Sequence, residues 1–138
     1  MPNDLRFVLD TNVIVSALLL KQSVARQAFD KALEQGRLLL SQATIEELNT
    51  VLRREGFDKY VLEDERIQFL TALVREADLV EIVETITECR DPKDNRILEV
   101  AINGKATCIV SGDNDLLVLH PFRGVSVLTP RLFLSQVW

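Results

Sequence analysis

Short apolar runs alternate along the chain with longer segments of helical periodicity, and this alternation constrains the fold more than any other feature. In the longer segments, apolar residues recur three and four positions apart, as they do on one face of a helix. Strands that alternate with helices are typical of a parallel sheet whose crossover connections are helical. The sequence therefore predicts an α/β protein, a three-layer α/β/α sandwich around a mainly parallel sheet with right-handed crossovers.

The predicted strands are 6–9, 38–41, 79–83, 107–111 and 125–128. Strand 107–111 is apolar on both faces, which is typical of an interior strand, and 79–83 is typical of a strand near an edge. The predicted helices cover about 13–35, 43–54, 62–78 and 91–103, with a short helix before the last strand and a final helix opened by Pro130.

Composition narrows the class of protein. At 138 residues, with 47% hydrophobic and 27% charged residues, the chain is expected to form one domain over 1–138. Its 16 Lys and Arg against 21 Asp and Glu give a net charge of −5, which excludes a protein that holds nucleic acid by bulk positive charge. Two cysteines are too few for a disulfide framework. Because no secretory signal opens the sequence and no apolar run reaches about 18–20 residues, we expect a cytoplasmic protein with no membrane partner.

Acidic side chains follow several of the predicted strands. The carboxyl ends of parallel strands meet at one edge of a sheet, where open α/β proteins bind their ligands. Four segments that are far apart in the chain bring acids to this edge: Asp10; Glu46 or Glu47; Asp94; and Asp113 with Asp115. We therefore expect a cluster of carboxylates there.

Such a cluster needs a cation. Carboxylates at short range repel one another and have raised pKa values unless positive charge compensates them. Ligation by oxygen alone suits Mg²⁺ or Mn²⁺. A divalent ion of this kind acidifies a bound water and stabilises charge on a phosphate during in-line attack. The acids therefore favour phosphodiester hydrolysis.

Each acid also has a structural interpretation. Asp94 and Asp113 stand where a side chain caps the next helix, and Asp91, ahead of Pro92, is interpreted as a turn or cap residue rather than a ligand. Glu46 and Glu47 are adjacent on a helix, so at most one of them faces the site. The concurrence of four acidic segments at corresponding strand ends favours the functional interpretation.

Four motifs together resemble a known family. They are Asp10-Thr11-Asn12 after an apolar strand, Glu47-Leu48, Asp91-Pro92-Lys93-Asp94-Asn95, and Val110-Ser111-Gly112-Asp113-Asn114-Asp115-Leu116. In this order and at these separations they resemble a PIN domain, and the chain is most similar to the bacterial and archaeal branch of VapC-like toxins from toxin–antitoxin pairs. The resemblance runs from Arg6 to the final helix.

The resemblance implies a metal-dependent endoribonuclease that cleaves single-stranded RNA, usually as a dimer. Carried over by position, Asp10, Glu47, Asp94 and Asp113 are the four acids that are catalytic and hold Mg²⁺ or Mn²⁺, with Asp115 as an additional or alternative catalytic acid. Thr11 and Asn12 would shape the loop after the first strand. Ser111, which stands where Thr is common, would orient a carboxylate or a water.

The expected partners follow from this function: single-stranded RNA, a cognate antitoxin and a second copy of the chain. Arg90, Lys93 and Arg96 flank Asp94 and are the predicted basic rim for RNA, whereas Arg53, Arg54 and Lys105 are interpreted mainly as solvated charges. Most aromatic residues are expected in the core, with no ladder of rings for stacking bases. His120 is expected to be a loop residue without a catalytic duty.

The two rival classes are a phosphotransfer domain and a binding module without catalysis. A haloacid-dehalogenase-like hydrolase needs a second Asp where this chain has Asn12, and a response-regulator receiver needs a Lys on a late strand, where this chain has none. The other rival is a catalytically silent PIN-like module that acts by pairing with an antitoxin or with itself.

Overall fold

A parallel β-sheet forms the middle layer of the computed structural model, which describes residues 4–138. Within these residues five strands pair in the order β3-β2-β1-β4-β5, and every pairing is parallel. The strands are β1 (Arg6–Leu9), β2 (Arg37–Leu40), β3 (Asp78–Leu79), β4 (Cys108–Val110) and β5 (Ser126–Leu128). The predicted α/β class and parallel sheet are confirmed.

Helices cover both faces of this sheet. In the described part of the chain they are α1 (Thr11–Leu19), α2 (Val24–Gln35), α3 (Gln42–Leu52), α4 (Glu63–Glu76), α5 (Asn95–Asn103), α6 (Asn114–Leu117) and α7 (Pro130–Leu134), with 3₁₀ turns at Glu55–Phe57 and Pro92–Asp94. The helix expected over 13–35 is divided into α1 and α2. Ser23 is the reason, because its side chain accepts a hydrogen bond from the Arg26 backbone N–H and starts α2 as a new helix.

Strand alternation separates two hydrophobic cores. Phe7 and Leu9 of β1 pack on the face covered by α1, α2, α3, α4 and α7, whereas Val8 packs on the face covered by α5 and α6. Successive strand side chains point to opposite faces, so β1 is buried on both sides. This burial explains why β1 is the central strand, with β4 as its interior neighbour.

The edge strand β3 is shorter than the predicted 79–83. Leu79 pairs with Leu40, the last residue of β2, and the Val80 backbone N–H donates to the Leu40 carbonyl at 2.8 Å. The chain then enters α3 at Gln42, so no partner strand continues beyond this point. Strand β3 therefore ends where β2 ends.

The register of β1 and β4 brings their carboxyl ends side by side. Leu9 pairs with Val110, and the Asp10 backbone N–H donates to the Val110 carbonyl at 2.9 Å. Asp10 and Ser111 therefore leave the sheet together, and both lie above its carboxyl edge. Across residues 4–138, we find no helix with the length and apolar character that a bilayer crossing requires. Residues 1–3 lie outside the described residues. They are the start of the segment in which the sequence predicts no secretory signal.

Candidate active site

Asp10 is a buried acid at the end of β1. Its side chain is 7% exposed, and its carboxylate makes no side-chain capping bond to α1. Ser111 Oγ donates a hydrogen bond to Asp10 Oδ2 at 2.8 Å. Burial raises the pKa of Asp10; hydrogen bonds from Ser111 and the Thr11 backbone lower it in part, and the charges of Asp113 and Glu47 add to the increase. Asp10 is thus a carboxylate held in one orientation where a cation would stabilise it.

Ser111 connects Asp10 to the loop after β4. The residue is fully buried, and its Oγ accepts a hydrogen bond from the Asp113 backbone N–H at 3.0 Å while it donates to Asp10. Asp113 Oδ1 accepts in turn from the Asp115 backbone N–H at 2.9 Å, so Asp113 caps α6. One hydroxyl therefore fixes the relation between Asp10 and the segment that carries Asp113.

Asp94 lies at the end of the 3₁₀ turn before α5, and its carboxylate makes no side-chain capping bond. Burial raises the pKa of Asp94 to about 7, together with hydrogen bonding to Asp113 and the charges of Asp113, Asp10 and Asp91. A cation beside Asp94 would stabilise the charged form of its carboxylate, which burial and the neighbouring acids disfavour.

One of the two adjacent glutamates on α3 joins these acids. Glu47 is half-buried and lines the same cavity as Asp10, Asp94 and Asp113, a space of about 220 Å³ that we call the acidic cavity. Glu46 is exposed, and its Oε1 accepts from Gln42 Nε2 at 3.2 Å outside this cavity. Neighbouring helical residues point about 100° apart, so the structure directs Glu47 to the acids and Glu46 to solvent.

A second group of carboxylates shares Asp94. One carboxylate oxygen each of Asp91, Asp94 and Asp115 lie within 4.8 Å of one another. Asp91 also caps the 3₁₀ turn, because its Oδ1 accepts from the Lys93 backbone N–H at 3.1 Å. The capping interpretation of Asp91 is therefore right but incomplete, since the residue also lines the acidic cavity.

Basic side chains border the acids. Arg54 and Lys93 line the acidic cavity, and an adjoining depression of about 380 Å³ contains both of them together with Glu47 and Arg96. Arg90 is exposed and lines neither space. The cations next to the acids are thus Lys93, Arg96 and Arg54.

A model of the PIN domain family matches residues 6–115, a stretch that contains all of these acids. The chain belongs to the PIN domain family. The predicted resemblance is confirmed, and so is the fold that it implied.

Three known proteins are similar to this PIN-domain chain in sequence or in fold. An uncharacterized protein of Methanocaldococcus jannaschii is 29% identical over 118 residues, which is 84% of this chain and 76% of that protein. A chain of the VapBC2 structure from Rickettsia felis, bound to a promoter DNA fragment, superposes with a TM-score of 0.59 at 12% identity, covering 89% of this chain and 97% of its own. A DNA-bound VapBC structure from Salmonella typhimurium gives 0.60 at 16% identity, covering 91% and 98%. At these identities the two structures show a shared fold.

Most of the predicted site residues of this PIN-domain chain line the acidic cavity, and others lie beside it. Asp10, Thr11, Asn12, Glu47, Asp94 and Asp113 all line the acidic cavity, with Ser111 buried behind Asp10 and Asp115 on the side of Asp91. Sequence reasoning gave no weight in the site to Asp91 and little to Arg54. Arg54 lies beyond the end of α3 at Leu52, so the packing of the chain after the helix, and not helical spacing from Glu47, brings it to the cavity.

The donor chemistry of this PIN-domain site fits a hard divalent cation. Asp10, Asp94, Asp113 and Glu47 offer carboxylate oxygens, which suit Mg²⁺ or Mn²⁺. The carboxylates of Asp10 and Asp94 take no part in capping, and burial and mutual repulsion raise both of their pKa values. A cation would remove that repulsion.

His120 serves the fold rather than the acids. Its Nδ1 accepts a hydrogen bond from the Val127 backbone N–H at 2.9 Å, which links the loop before β5 to the strand itself. The side chain is not among those that line the acidic cavity. This placement agrees with the expectation of a loop residue.

Proposed function

We propose that this PIN domain is a metal-dependent endoribonuclease that hydrolyses phosphodiester bonds of single-stranded RNA. The observation that carries the proposal is the convergence of Asp10, Asp94 and Asp113, from three distant segments, on one polar cavity, where none of the three forms an ion pair with a basic residue of the described chain. Capping alone does not account for this arrangement, because the Asp10 and Asp94 carboxylates cap no helix. Arg54 and Lys93 at the same cavity supply the positive charge that a phosphate needs.

In this proposal Asp10 and Asp94 bind the principal Mg²⁺ or Mn²⁺, and Glu47 and Asp113 hold its waters or a second ion. When bound, the ion supplies an activated water and stabilises negative charge on the phosphate. Ser111 keeps Asp10 Oδ2 oriented through its 2.8 Å hydrogen bond. Asp115 supports the same site through its backbone N–H, which fixes Asp113 Oδ1.

The RNA backbone is held by the basic residues at the rim of the cavity. Lys93 and Arg54 contact the phosphate nearest the acids, and Arg96 in the adjoining depression contacts a neighbouring phosphate. Arg90 is part of the predicted rim, and its exposed position outside both cavities assigns it at most a long-range electrostatic role.

The test is cleavage of a mixed pool of single-stranded RNA with Mg²⁺, with Mn²⁺ and with EDTA. We expect metal-dependent cleavage that Asp10→Asn abolishes, since Asn keeps the shape and the acceptor for Ser111 but loses the charge. Asp4→Asn is the matched control, because it makes the same change at an exposed carboxylate that lines neither the acidic cavity nor the adjoining depression. Full activity of Asp10→Asn at saturating Mg²⁺ would contradict the assignment.

We further propose that the protein acts in the cytoplasm as the toxin of a toxin–antitoxin pair and forms a homodimer. The shared fold with chains of two VapBC structures supports this proposal. Light scattering after size exclusion measures the oligomeric state, and growth arrest on expression, dependent on Asp10, tests toxicity. If the folded protein cleaves no RNA with either metal, the catalytically silent pairing module replaces the nuclease.

A further inference from the structure

Beside the acidic cavity lies a depression of about 260 Å³ with a mostly apolar lining, which we call the Tyr60 groove. Ser16, Leu19 and Leu20 form its wall on the side of α1, and Phe57 and Tyr60 form the opposite wall. Tyr60 and Leu20 are 56% and 53% exposed. An exposed apolar groove next to a polar site indicates a ligand with both apolar and charged parts.

The groove and the acidic cavity have the same two walls. On α1, Asn12 lines the cavity and Leu19, two turns further along the same face, lines the groove. Seven helical residues span about 10 Å. On the opposite wall Arg54 lines the cavity, and Phe57 and Tyr60 follow in the groove. The two spaces therefore follow one another along α1, about 10 Å apart, which is within the reach of a nucleotide chain whose phosphate lies at the acids.

The charges around the groove favour a nucleotide over an apolar protein segment. Lys59 Nζ lies 5.2 Å from the centroid of the Tyr60 ring, and Arg54 lines the acidic cavity. Single-stranded nucleic acids are bound in this way, with bases stacked on aromatic rings and the backbone following cations. A purely apolar segment would cover Tyr60 and Leu20 but would offer Lys59 no partner of opposite charge.

The wall that carries Tyr60 is held by a buried arginine. Arg66 is fully buried, and its guanidinium donates to the Leu52 carbonyl at 2.6 Å, to the Val61 carbonyl and to Asp58 Oδ1 at 2.9 Å. These bonds tie both ends of the segment between Leu52 and Val61. A ring that is already ordered loses less conformational entropy when a ligand binds.

We propose that the Tyr60 groove is a nucleobase subsite, in which Tyr60 stacks on a base of single-stranded RNA whose phosphate lies at the acidic cavity. The proposal rests on the proposed function and goes beyond it by assigning a base-binding residue.

The experiment measures binding rather than cleavage, using the full chain with Asp10→Asn in Mg²⁺ so that RNA stays intact. Fluorescence anisotropy compares a short labelled single-stranded RNA with an abasic ribose–phosphate chain of the same length. In this background, Tyr60→Ala removes the ring, Tyr60→Phe keeps it, and Leu132→Ala removes an exposed apolar side chain on α7 as the control.

We expect Tyr60→Ala to weaken RNA binding about 5- to 100-fold and to leave the affinity for the abasic chain unchanged. Tyr60→Phe and Leu132→Ala should retain the parent's affinity for RNA. A folded Tyr60→Ala variant that binds RNA as the parent does overturns the subsite and leaves the nuclease standing. If it instead loses self-association in light scattering, the groove is a protein interface and the inference is wrong. Failure of the parent to bind either chain contradicts the nuclease itself.

Discussion

Replacing Asp94 by Asn should stabilise the metal-free protein. Burial and the neighbouring acids raise the pKa of Asp94 from its ordinary value of 3.8 to about 7. Through linkage this change corresponds to at most about 4 kcal/mol of lost stability above pH 7. Asp94 is only half-buried, so solvent screening reduces the effect, and a charge near the start of α5 is itself favourable by about 0.5 kcal/mol. We expect a net gain of about 1–2 kcal/mol, or about 3–7 °C in Tm.

The pH dependence gives the sign of the effect that Asp94 has on stability. Below about pH 4 the Asp94 carboxyl is protonated in both the folded and the unfolded chain, so it does not affect stability. As the pH rises toward 7, the unfolded chain releases the proton while the folded chain keeps it, and stability declines until the folded pKa is passed. The advantage of Asp94→Asn should therefore be small near pH 4.5 and largest at pH 8. Saturating Mg²⁺ should reverse the order, because it stabilises the wild type more.

Thermal unfolding by circular dichroism in EDTA, at both pH values, measures the effect. Asp4→Asn is the matched control, because it removes one negative charge from an exposed position. The reasoning is refuted if Asp94→Asn melts no higher than this control at pH 8, or if its advantage is the same at both pH values.

Three further predictions concern bonds around the site. Ser111→Ala should cost about 1–2 kcal/mol and lower kcat, because the Asp10 carboxylate loses its donor; urea titration and cleavage rates check this, and Ser111→Thr should restore both. Arg66→Met should cost about 2–4 kcal/mol, because the buried Leu52 and Val61 carbonyls lose their donor. Urea unfolding should show less than about 1 kcal/mol for the control Arg26→Met, whose side chain is partly exposed. Lys93→Ala should reduce the slope of log K for RNA against log salt by about 0.7. In the same titration, Arg90→Ala should change this slope less than Lys93→Ala does.

The elements themselves were predictable because their signals are local. The apolar run 107–111 contains Cys108–Val110 of β4, and the stretch opened by Asp91 and Pro92 leads into Asn95–Asn103 of α5. Apolar periodicity and turn residues act over a few positions, so they can be recognised in the sequence without knowledge of the segments that pack against them. Where a boundary depends on a partner, as β3 depends on the end of β2, the predicted length was wrong.

Other features could not be predicted from the sequence because they depend on packing. Arg66 is fully buried, and a charged residue is seldom expected inside a protein unless its partners are known. Its buried partners are the Leu52 and Val61 carbonyls, and because every residue has a carbonyl, no sequence pattern marks them. The exposure of Tyr60 also depends on packing, because the hydrogen bonds of Arg66 hold both ends of the segment that carries it.

By itself the sequence determined which chemistry is available: acids at the ends of parallel strands, their order along the chain, and the family that this order indicates. The tertiary structure decided which oxygens meet. The 2.8 Å bond between Ser111 and Asp10 joins residues 101 positions apart, and it exists because β1 and β4 pair in one register. The same packing directs Glu47 rather than Glu46 to the acids and adds Asp91 and Arg54. Periodicity is set by neighbours in the chain, whereas convergence is set by how strands and helices pack against one another.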